Sequence, residues 1–302
     1  MILCCGEALI DMLPRDTAFA PHAGGAVFNT AIALGRLGVP TGFFSGLSTD
    51  LFGTVLDDAL KASNVDASLA ARSDRPTTLA FVTLTDGQAQ YAFYDENTAG
   101  RMLAPEDLPD LPVSVSACFF GGISLAVEPC ANAYAALQEQ VCADTVTMLD
   151  PNVRPGFIRD EAVYRRRIEG MIARSDILKL SDEDLRWLQG EGDIDTLAAG
   201  MLSRGPSVVF ITEGAKGARA YTKATAQTHE ITSEVTVVDT VGAGDTFNAG
   251  VLASLHNAGL LTKAALPSLD AAALAAALSL GARTAAVTVS RAGANPPWSH
   301  EL

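Results

Sequence analysis

Short apolar segments alternate with helix-like segments along most of this chain, and that alternation limits the fold more than any other feature. Candidates for buried strands are residues 1–5, 117–120, 146–149, 177–180 and 208–212. Apolar residues recur at helical spacing in the segments 28–37, 51–60, 129–142, 160–174 and 182–188. Strands that alternate with helices form βαβ units. We therefore predict an α/β fold with a mostly parallel central sheet, helices on both faces, and ligands at the carboxyl ends of its strands.

One region departs from this alternation. Residues 77–85 and 88–94 are two β-rich runs joined by Asp86-Gly87, which is a strong signal for a hairpin. No helical segment separates them, so we expect an antiparallel hairpin outside the parallel layer. With the extended stretch 9–19, it predicts a small sheet over one edge of the core. The composition fits a lid over a site and an ordinary edge hairpin equally well.

Composition excludes several classes of protein. The chain has 302 residues, of which 48% are hydrophobic and 19% charged, and this balance indicates a globular fold rather than a disordered chain. The formal net charge is −14, and the only basic run is Arg165–Arg167 on an amphipathic segment. Because nucleic-acid binding needs clustered basic residues, we expect no nucleic-acid partner.

Cysteine usage and the amino terminus favour the cytoplasm. The five cysteines form no CxxC pair and no cluster with the four histidines. No cationic segment followed by an apolar one opens the chain, which is typical of a protein without a secretion signal. The apolar stretch 271–289 is interrupted by Arg283 and falls short of a membrane span. We expect a cytoplasmic protein with no membrane partner.

The most informative segment is 235–250, which reads VTVVDTVGAGDTFNAG. Its β-branched start predicts a strand, and a helix-compatible stretch follows the small residues Gly242, Ala243 and Gly244. Such a turn leaves backbone N–H groups bare at the positive end of a helix, where anions bind. Asp245 follows at once. In most proteins a carboxylate there is a helix cap, whereas beside a phosphate it can be a base that takes a proton from an attacking hydroxyl.

A second segment reads GGAVFN at residues 24–29 and precedes another helix-like run. Paired glycines before a helix usually indicate a tight turn. Asn29 is the better clue to a site, because a polar amide in an apolar stretch needs a partner or a ligand when it is buried.

Together these segments resemble the ribokinase or pfkB family of carbohydrate kinases. Residues 239–250 match the second signature of that family almost letter for letter, and residues 24–29 are similar to the first, with Val27 where proline is usual. The resemblance extends over nearly the whole chain. It implies a single domain, 1–302, with a three-layer α/β/α core and a small β-sheet lid formed by approximately residues 9–22 and 75–100.

The resemblance also implies a reaction, which is transfer of the ATP γ-phosphoryl group to a sugar hydroxyl. Asp245 would be the general base on that hydroxyl. The backbone N–H groups of Gly242, Ala243 and Gly244 would form an anion hole. This agrees with the chemistry of phosphoryl transfer, in which positioning and electrostatic stabilisation dominate. Arg36 has no role in this scheme, and we expect a surface charge there.

On the nucleotide side, the resemblance places ATP along Lys179, Thr212, Gly214, Gly217 and the helical region 271–285. Glycines in such a loop allow close approach of the backbone to a ligand, although each alone is only a turn signal.

The metal sites implied by the resemblance depart from the usual pattern. Where the family has Asn-x-x-Glu, this chain has Ser181-x-x-Asp184, so magnesium would be held through water by Asp184 or by its neighbour Glu183. The same spacing is also typical of a helix capping box. Many family members bind potassium near the residue that matches Asp239, and whether this chain depends on it is left open.

For the sugar, the opening GEALID at residues 6–11 resembles the fructokinase branch of the family. Asp11, Gly25 and Asn29 would form the floor of the sugar site. Tyr94 on the hairpin would add an apolar contact from the lid, and Arg154 would meet sugar or phosphate.

Other functions remain as alternatives. Ribokinase, 2-keto-3-deoxygluconate kinase and nucleoside kinase belong to the same family, and Asp95 and Glu96 near the lid disfavour an acidic sugar. A non-catalytic sugar-binding or nucleotide-binding regulator would be expected to lack Asp245. A dinucleotide-dependent oxidoreductase lacks support because no GxGxxG follows the first strand. A homodimer through the lid is a further expectation.

Overall fold

The computed structural model describes residues 1–85, 88–223, 225, 228–230 and 235–302. Its strands are β1 (Ile2–Cys5), β2 (Leu9–Arg15), β3 (Ala18–Gly24), β4 (Thr41–Phe44), β5 (Gly46–Ser48), β6 (Val65–Asp66), β7 (Ala71–Ser73), β8 (Leu79–Thr85), β9 (Gln88–Tyr94), β10 (Ala117–Gly121), β11 (Val146–Asp150), β12 (Ile177–Ser181), β13 (Val208–Thr212), β14 (Ala218–Thr222) and β15 (Thr228–Glu230). Its helices are α1 (Ala26–Arg36), α2 (Leu51–Ala62), α3 (Cys130–Val141), α4 (Glu161–Arg174), α5 (Asp182–Gln189), α6 (Ile194–Leu202), α7 (Ala243–Asn257) and α8 (Ala271–Val289).

The central sheet has nine strands in the order β15-β14-β13-β12-β11-β10-β1-β4-β6. Pairing is parallel from β6 through β13, and β14 and β15 are antiparallel additions at one edge. The predicted mostly parallel α/β sheet is confirmed. Its parallel strands are continuous apolar runs because helices cover both faces.

Two hydrophobic clusters fill the space between the sheet and its helices. Alternate residues of β1 show the division, since Ile2 and Cys4 belong to one cluster while Leu3 and Cys5 belong to the other. The first cluster contains buried residues of α1, α2, α7 and α8, and the second contains those of α3, α4, α5 and α6. The result is the expected three-layer arrangement.

A separate four-stranded sheet, in the order β3-β2-β8-β9, lies beside the core. β8 and β9 form the predicted antiparallel hairpin, and β2 pairs with β8 in parallel. The turn residues Asp86 and Gly87 lie outside the described residues. The predicted extended stretch 9–19 is the strand pair β2–β3.

Helix α8 corrects the expectation that residues 271–289 are too short and too polar to span a membrane. Its 19 residues have a mean hydropathy of 1.5, which by length and composition alone is enough for a membrane span. However, Leu274 and Leu278 are buried in the first cluster, and α8 contacts α7 so closely that a Cβ on Gly250 would lie 2.6 Å from the Gly281 Cα. This packing is typical of the core helix of an α/β protein.

The predicted strand at the start of 235–250 is wrong for the described residues. Residues 235–240 have no strand pairing, and the Val237 and Val238 side chains are 59% and 61% exposed. The backbone N–H groups of Val238 and Asp239 both donate to the Val289 carbonyl at the end of α8. A β-branched run indicates an extended backbone, but not that a neighbouring strand is present to pair with it.

Candidate active site

The amino end of α7 requires the glycines that precede Asp245. Gly242 is the N-cap with a left-handed φ of 79°, and a Cβ there would lie 2.7 Å from the Ala294 Cβ. A Cβ on Gly244 would lie 3.0 Å from the Lys179 Nζ. Gly242 excludes a side chain, because its φ is positive and Ala294 lies against its backbone, whereas a side chain at Gly244 would press on the Lys179 ammonium group.

The N–H groups of this turn differ in their availability. Ala243 N–H donates to the Thr240 carbonyl at 3.3 Å. The N–H groups of Gly242, Gly244 and Asp245 have no acceptor within the described parts of the chain. The structure therefore offers a donor set of Gly242, Gly244 and Asp245, whereas the sequence indicated Gly242, Ala243 and Gly244.

Asp245 is held by α1. The Asn29 Nδ2 donates to the Asp245 Oδ2 at 2.9 Å, and the Thr30 hydroxyl donates to the Asp245 carbonyl at 3.0 Å. Asp245 and Asn29 are 7% and 6% exposed. The structure thus brings together the two residues singled out in the two signature segments, 216 positions apart.

Burial gives this carboxylate the pKa of a neutral-pH base. It raises the pKa of Asp245 to about 7. The hydrogen bond from Asn29 and the positive charge of Lys179 lower this pKa. The negative charges of Asp150 and Glu7 raise it further. A group that is half ionised near pH 7 can both accept and release a proton there.

A buried ion pair lies next to the same turn. The Nζ of Lys179, in the middle of β12, donates to the Asp150 Oδ2 at 3.0 Å, and the Asn248 Nδ2 of α7 donates to the same oxygen at 2.7 Å. Burial alone would lower the pKa of Lys179, but the charges of Asp150 and Asp184 outweigh it and the pKa is raised. Lys179 is therefore a protonated cation directly beneath Gly244.

Asp184 and Glu183 are placed differently from one another. The Asp184 Oδ1 accepts from Val153 N–H at 3.0 Å, and its Oδ2 accepts from Ser181 N–H at 3.3 Å in a capping box. Glu183 is exposed. Within the described residues, no three His, Cys, Asp or Glu side chains form a metal-binding cluster. Direct coordination of a metal by several carboxylates is thus not supported by the part of the chain that is described.

Three of the residues predicted to bind the sugar, Asp11, Gly25 and Asn29, lie where β2 and β3 join α1. Asp11 is half-buried, and a Cβ on Gly24 would lie 2.4 Å from its Oδ2. Burial raises the pKa of Asp11 to about 6. Gly25, with φ of 112°, is the N-cap of α1 and leads directly into the turn that carries Asn29.

The structure does not bring Tyr94 to this site. Tyr94 pairs with Leu79, whereas Asp11 and Phe93 both pair with Ala80, so Tyr94 lies on the face opposite to Asp11. Its side chain is 63% exposed. Phe93 lies on the Asp11 face and contacts the Phe157 ring, with centroids 4.1 Å apart. The β-strand pattern indicated an aromatic contact from the hairpin, and in the structure Phe93 rather than Tyr94 shares the face of Asp11.

Arg154 is exposed, and its Nη1 donates to the Val153 carbonyl at 3.0 Å. It lies on the segment that joins β11 to the turn of Phe157, near the small sheet. Its role as a ligand of sugar or phosphate stays a prediction.

Of the four residues predicted to bind the nucleotide, Thr212, Gly214 and Gly217 lie in the turn after β13, whereas Lys179 lies in β12 beneath the amino end of α7. Thr212 ends the strand, and Gly214 and Gly217 have φ of 56° and 106°. The Glu213 N–H donates to the Gly217 carbonyl at 2.8 Å, which closes the turn.

Asp239, near which a potassium site was predicted, joins the turn before α7 to the carboxyl-terminal segment. Its Oδ1 accepts from Val241 N–H at 3.0 Å, and its Oδ2 accepts from Gly293 N–H at 2.9 Å. The stretch 291–297 is thereby held against the turn that begins α7.

Comparison with known proteins agrees with this geometry. Residues 1–301 match the profile of the pfkB family of carbohydrate kinases. The chain belongs to the pfkB family. A fructokinase of Rhizobium leguminosarum bv. trifolii is 59% identical over 280 residues, which cover 91% of this chain and 85% of that relative.

Solved structures of pfkB-type kinases superpose closely. The fructokinase of Xylella fastidiosa with bound ATP has a TM-score of 0.89 and 29% identity, covering 97% of this chain and 93% of that one. The aminoimidazole riboside kinase of Salmonella enterica, in complex with aminoimidazole riboside and an ATP analogue, has a TM-score of 0.84 and 25% identity, covering 97% and 94%.

Sequence reasoning missed several residues of this pfkB site. Asp150, Asn248 and Glu7 contact or influence Lys179 and Asp245, yet none was singled out. A signal existed for Asp150, which is a carboxylate at the end of a buried strand. Asn248 follows Asp245 by one helical turn.

Arg36 is not a simple surface charge, which corrects the expectation. Its Nη1 donates to the Asn295 Oδ1 and the Pro296 carbonyl, both at 2.8 Å, and its guanidinium lies over the Trp298 ring. It ties the end of α1 to the carboxyl-terminal segment of this pfkB kinase.

Proposed function

We propose that this chain is an ATP-dependent fructokinase, which transfers the γ-phosphoryl group of ATP to a hydroxyl of fructose. The observation that carries the proposal is the Asp245 carboxylate, which is buried against Asn29 and has its pKa raised to about 7. A base of this pKa beside N–H groups that favour an anion suits phosphoryl transfer. Fructose is favoured because the Rhizobium fructokinase is 59% identical.

Asp245 accepts the proton of the attacking hydroxyl while that oxygen forms its bond to the γ-phosphorus. The bond from this phosphorus to the bridging oxygen breaks, and ADP leaves. The N–H groups of Gly242 and Gly244 stabilise the charge on the transferring oxygens. Lys179 adds positive potential from beneath the turn, because its Nζ is close to Gly244.

The sugar is bound between the core and the small sheet. Asp11 and Asn29 accept and donate hydrogen bonds to its hydroxyls, and Gly25 allows the sugar to approach the backbone. The Phe93 ring closes the site from β9, which replaces the Tyr94 contact. Arg154 binds sugar or phosphate from the segment after β11.

ATP lies along the turn after β13 and beside α8. Thr212, Gly214 and Gly217 present backbone groups to it, since glycines with positive φ leave the turn free of side chains.

Magnesium fits this site only through water. Both oxygens of Asp184 already accept backbone N–H groups, yet each keeps a lone pair that can accept from a metal-bound water. The exposed Glu183 is the second candidate. Magnesium, when bound, offsets negative charge on the phosphates.

Potassium would bind where Asp239 meets Gly293. The carboxylate fixes the two backbone segments by accepting an N–H from each, and their carbonyls would be the ligands of the cation. Activity measured with potassium replaced by tetramethylammonium tests this assignment, and unchanged activity would exclude it.

A substrate panel tests the proposed function. ADP formation is coupled to NADH oxidation with fructose, ribose, 2-keto-3-deoxygluconate, glucose and aminoimidazole riboside as acceptors. We expect fructose to give the highest kcat/KM. Preference for the riboside would contradict the fructose assignment, and the charge argument against an acidic sugar is weakened because Asp95 is paired with Arg101 at 3.0 Å.

We also propose that two copies pair through the exposed face of the small sheet. Phe19 and Tyr94 are 42% and 63% exposed on either side of Phe81, whose ring contacts both. Sedimentation of the wild type and of a Phe19→Ser, Tyr94→Ser variant tests this. A wild type that is monomeric at micromolar concentration would exclude the dimer.

A cytoplasmic location is part of the same proposal. The described chain has free thiols at five cysteines, of which Cys4, Cys5, Cys118 and Cys130 are buried. Buried reduced thiols are typical of proteins of the reducing cytoplasm. Cell fractionation tests this location, and recovery of the protein outside the cytoplasmic fraction would contradict it.

A further inference from the structure

We propose that Glu7 is a positioning residue of the active site, whose carboxylate fixes the amino end of α1 and thereby holds the Asn29 amide on Asp245. The inference rests on the proposed kinase function, in which Asp245 is the base.

Glu7 follows β1 and is 9% exposed. Its Oε1 accepts from Ala26 N–H at 3.0 Å, and its Oε2 accepts from Ser124 N–H at 3.3 Å. Ala26 is the first residue of α1, and the N-cap Gly25 has no side chain that could accept its N–H. Glu7 therefore acts as the cap of this helix from 19 residues away.

Two glycines lie against Glu7 at positions where a side chain would collide with it. Gly122 has φ of 71°, and a Cβ there would lie 2.0 Å from the Glu7 Oε1. Gly25 has φ of 112°, and a Cβ there would lie 2.9 Å from the Glu7 carbonyl oxygen. Two chain segments thus approach this one residue more closely than any side chain would allow.

The first turn of α1 connects Glu7 to the base. Asn29 N–H donates to the Gly25 carbonyl at 2.8 Å, and the Asn29 Nδ2 donates to the Asp245 Oδ2 at 2.9 Å. Because Glu7 holds the Ala26 N–H, it fixes the start of the same turn. A helix end without its cap frays first in that turn.

The charge of Glu7 gives the proposal a second consequence. Burial raises the pKa of Glu7, whereas the hydrogen bonds from Ser124 and Ala26 oppose that rise and stabilise the ionised carboxylate. Cys130 and Tyr134 of α3 and Asp245 of α7 are the titratable groups whose pKa its charge raises, after the larger effect of burial. Removing the charge therefore lowers the pKa of Asp245.

The Glu7→Gln variant is the main test. It keeps one acceptor oxygen but places an NH₂ group against the other backbone N–H. We expect kcat for fructose to fall about tenfold, since misplaced catalytic groups cost that much or more. KM for fructose should rise while KM for ATP stays unchanged. The acid limb of the kcat/KM profile should move to lower pH.

Two further variants separate positioning from charge and from packing. Glu7→Asp keeps the charge but shortens the reach, so KM for fructose should rise while the acid limb stays in place. Tyr134→Phe removes the hydrogen bond from the Tyr134 hydroxyl to the Gly6 carbonyl, 3.2 Å long, without changing charge. It should lower Tm but leave KM for fructose and the acid limb at wild-type values.

An NMR titration of the enzyme without substrates tests the role of Glu7 independently of which sugar is phosphorylated. The ¹³C signal of the Asp245 carboxyl, assigned by its loss in Asp245→Asn, should titrate at lower pH in Glu7→Gln than in wild type. A wild-type midpoint together with a wild-type KM for the preferred sugar would overturn the role of Glu7. Failure to phosphorylate fructose would overturn the substrate assignment alone.

Discussion

The proposed sugar side and the proposed nucleotide side of this site differ in the chemical groups that they offer to a ligand. On the proposed sugar side, buried polar side chains contact one another across the fold, as Asn29 does with Asp245. On the proposed nucleotide side, the turn after β13 has glycines where side chains would otherwise stand, and Gly214 has φ of 56° with nothing within 4 Å of an added Cβ.

The difference follows from what each side has to do. A proton must pass to one oxygen atom, and this requires a carboxylate whose pKa is set by burial and by fixed neighbours. A phosphate chain carries its own charge and can be held by N–H groups with little help from side chains. Substitutions on the two sides should therefore differ in size and in which substrate they affect.

Asp245→Asn should have the largest effect. The amide cannot accept the proton, so kcat should fall by about a thousandfold, within the usual range for loss of a general base. KM for ATP should change little, because the nucleotide side is intact. Steady-state kinetics with both substrates varied measure this. A variant that retains wild-type kcat would exclude Asp245 as the base.

Lys179→Met should have the second-largest effect on activity. It leaves Asp150 as an unpaired buried charge, which costs about 3–5 kcal/mol of unfolding free energy. The loss of positive potential beneath Gly244 should also reduce kcat by roughly a hundredfold, a size typical of removing one preorganised electrostatic group. Urea unfolding and kinetics measure the two effects.

The Lys179→Met, Asp150→Asn double variant is its control. It should recover much of the stability, because no unpaired charge remains, but not the kcat. Recovery of both would show that Lys179 has only a structural role.

Gly214→Ala probes the nucleotide side, with Gly259→Ala as a matched control. Both glycines have positive φ, 56° and 70°, with nothing within 4 Å of an added Cβ. Each substitution should cost about 1 kcal/mol of stability from backbone strain. Only Gly214→Ala should raise KM for ATP, severalfold, because only that turn is assigned to the nucleotide. Equal KM values in the two variants would remove this assignment.

Arg36→Met should have the smallest effect on catalysis and should change the KM of both substrates. It removes hydrogen bonds from Arg36 to Asn295 and Pro296, which join α1 to the segment that holds Asp239. We expect a loss of about 1.5–3 kcal/mol for bonds made by a charged group. Both KM values should rise by a factor of about two to three, given that coupled elements transmit about 0.5–2 kcal/mol. A rise confined to one substrate would contradict this link.

The sequence allowed prediction of features that depend on local pattern. Apolar runs and helical spacing indicated the layered core, and glycines before Asp245 indicated an anion site at a helix end. Asn29 was found because an amide is out of place in an apolar stretch. The small sheet was found from Asp86-Gly87 and its flanking runs.

Features that depend on distant contacts could not be predicted in the same way. The Lys179–Asp150 pair joins neighbouring strands, and nothing local in either segment indicates the other. Tyr94 was chosen over Phe93 because a period of two shows that faces alternate but not which face meets the core. Ala243 was expected to offer a bare N–H, yet its bond to Thr240 depends on the conformation of the turn.

The pH dependence of kcat/KM for fructose tests the central claim most directly. Because burial raises the pKa of Asp245 to about 7 and the base acts when ionised, activity should fall below pH 7, by tenfold per unit. The same limb should persist in Asp11→Asn, since the pKa of Asp11 is raised only to about 6. A profile that stays flat from about pH 8 down to about pH 5 would contradict a base of raised pKa and, with it, the role of Asp245.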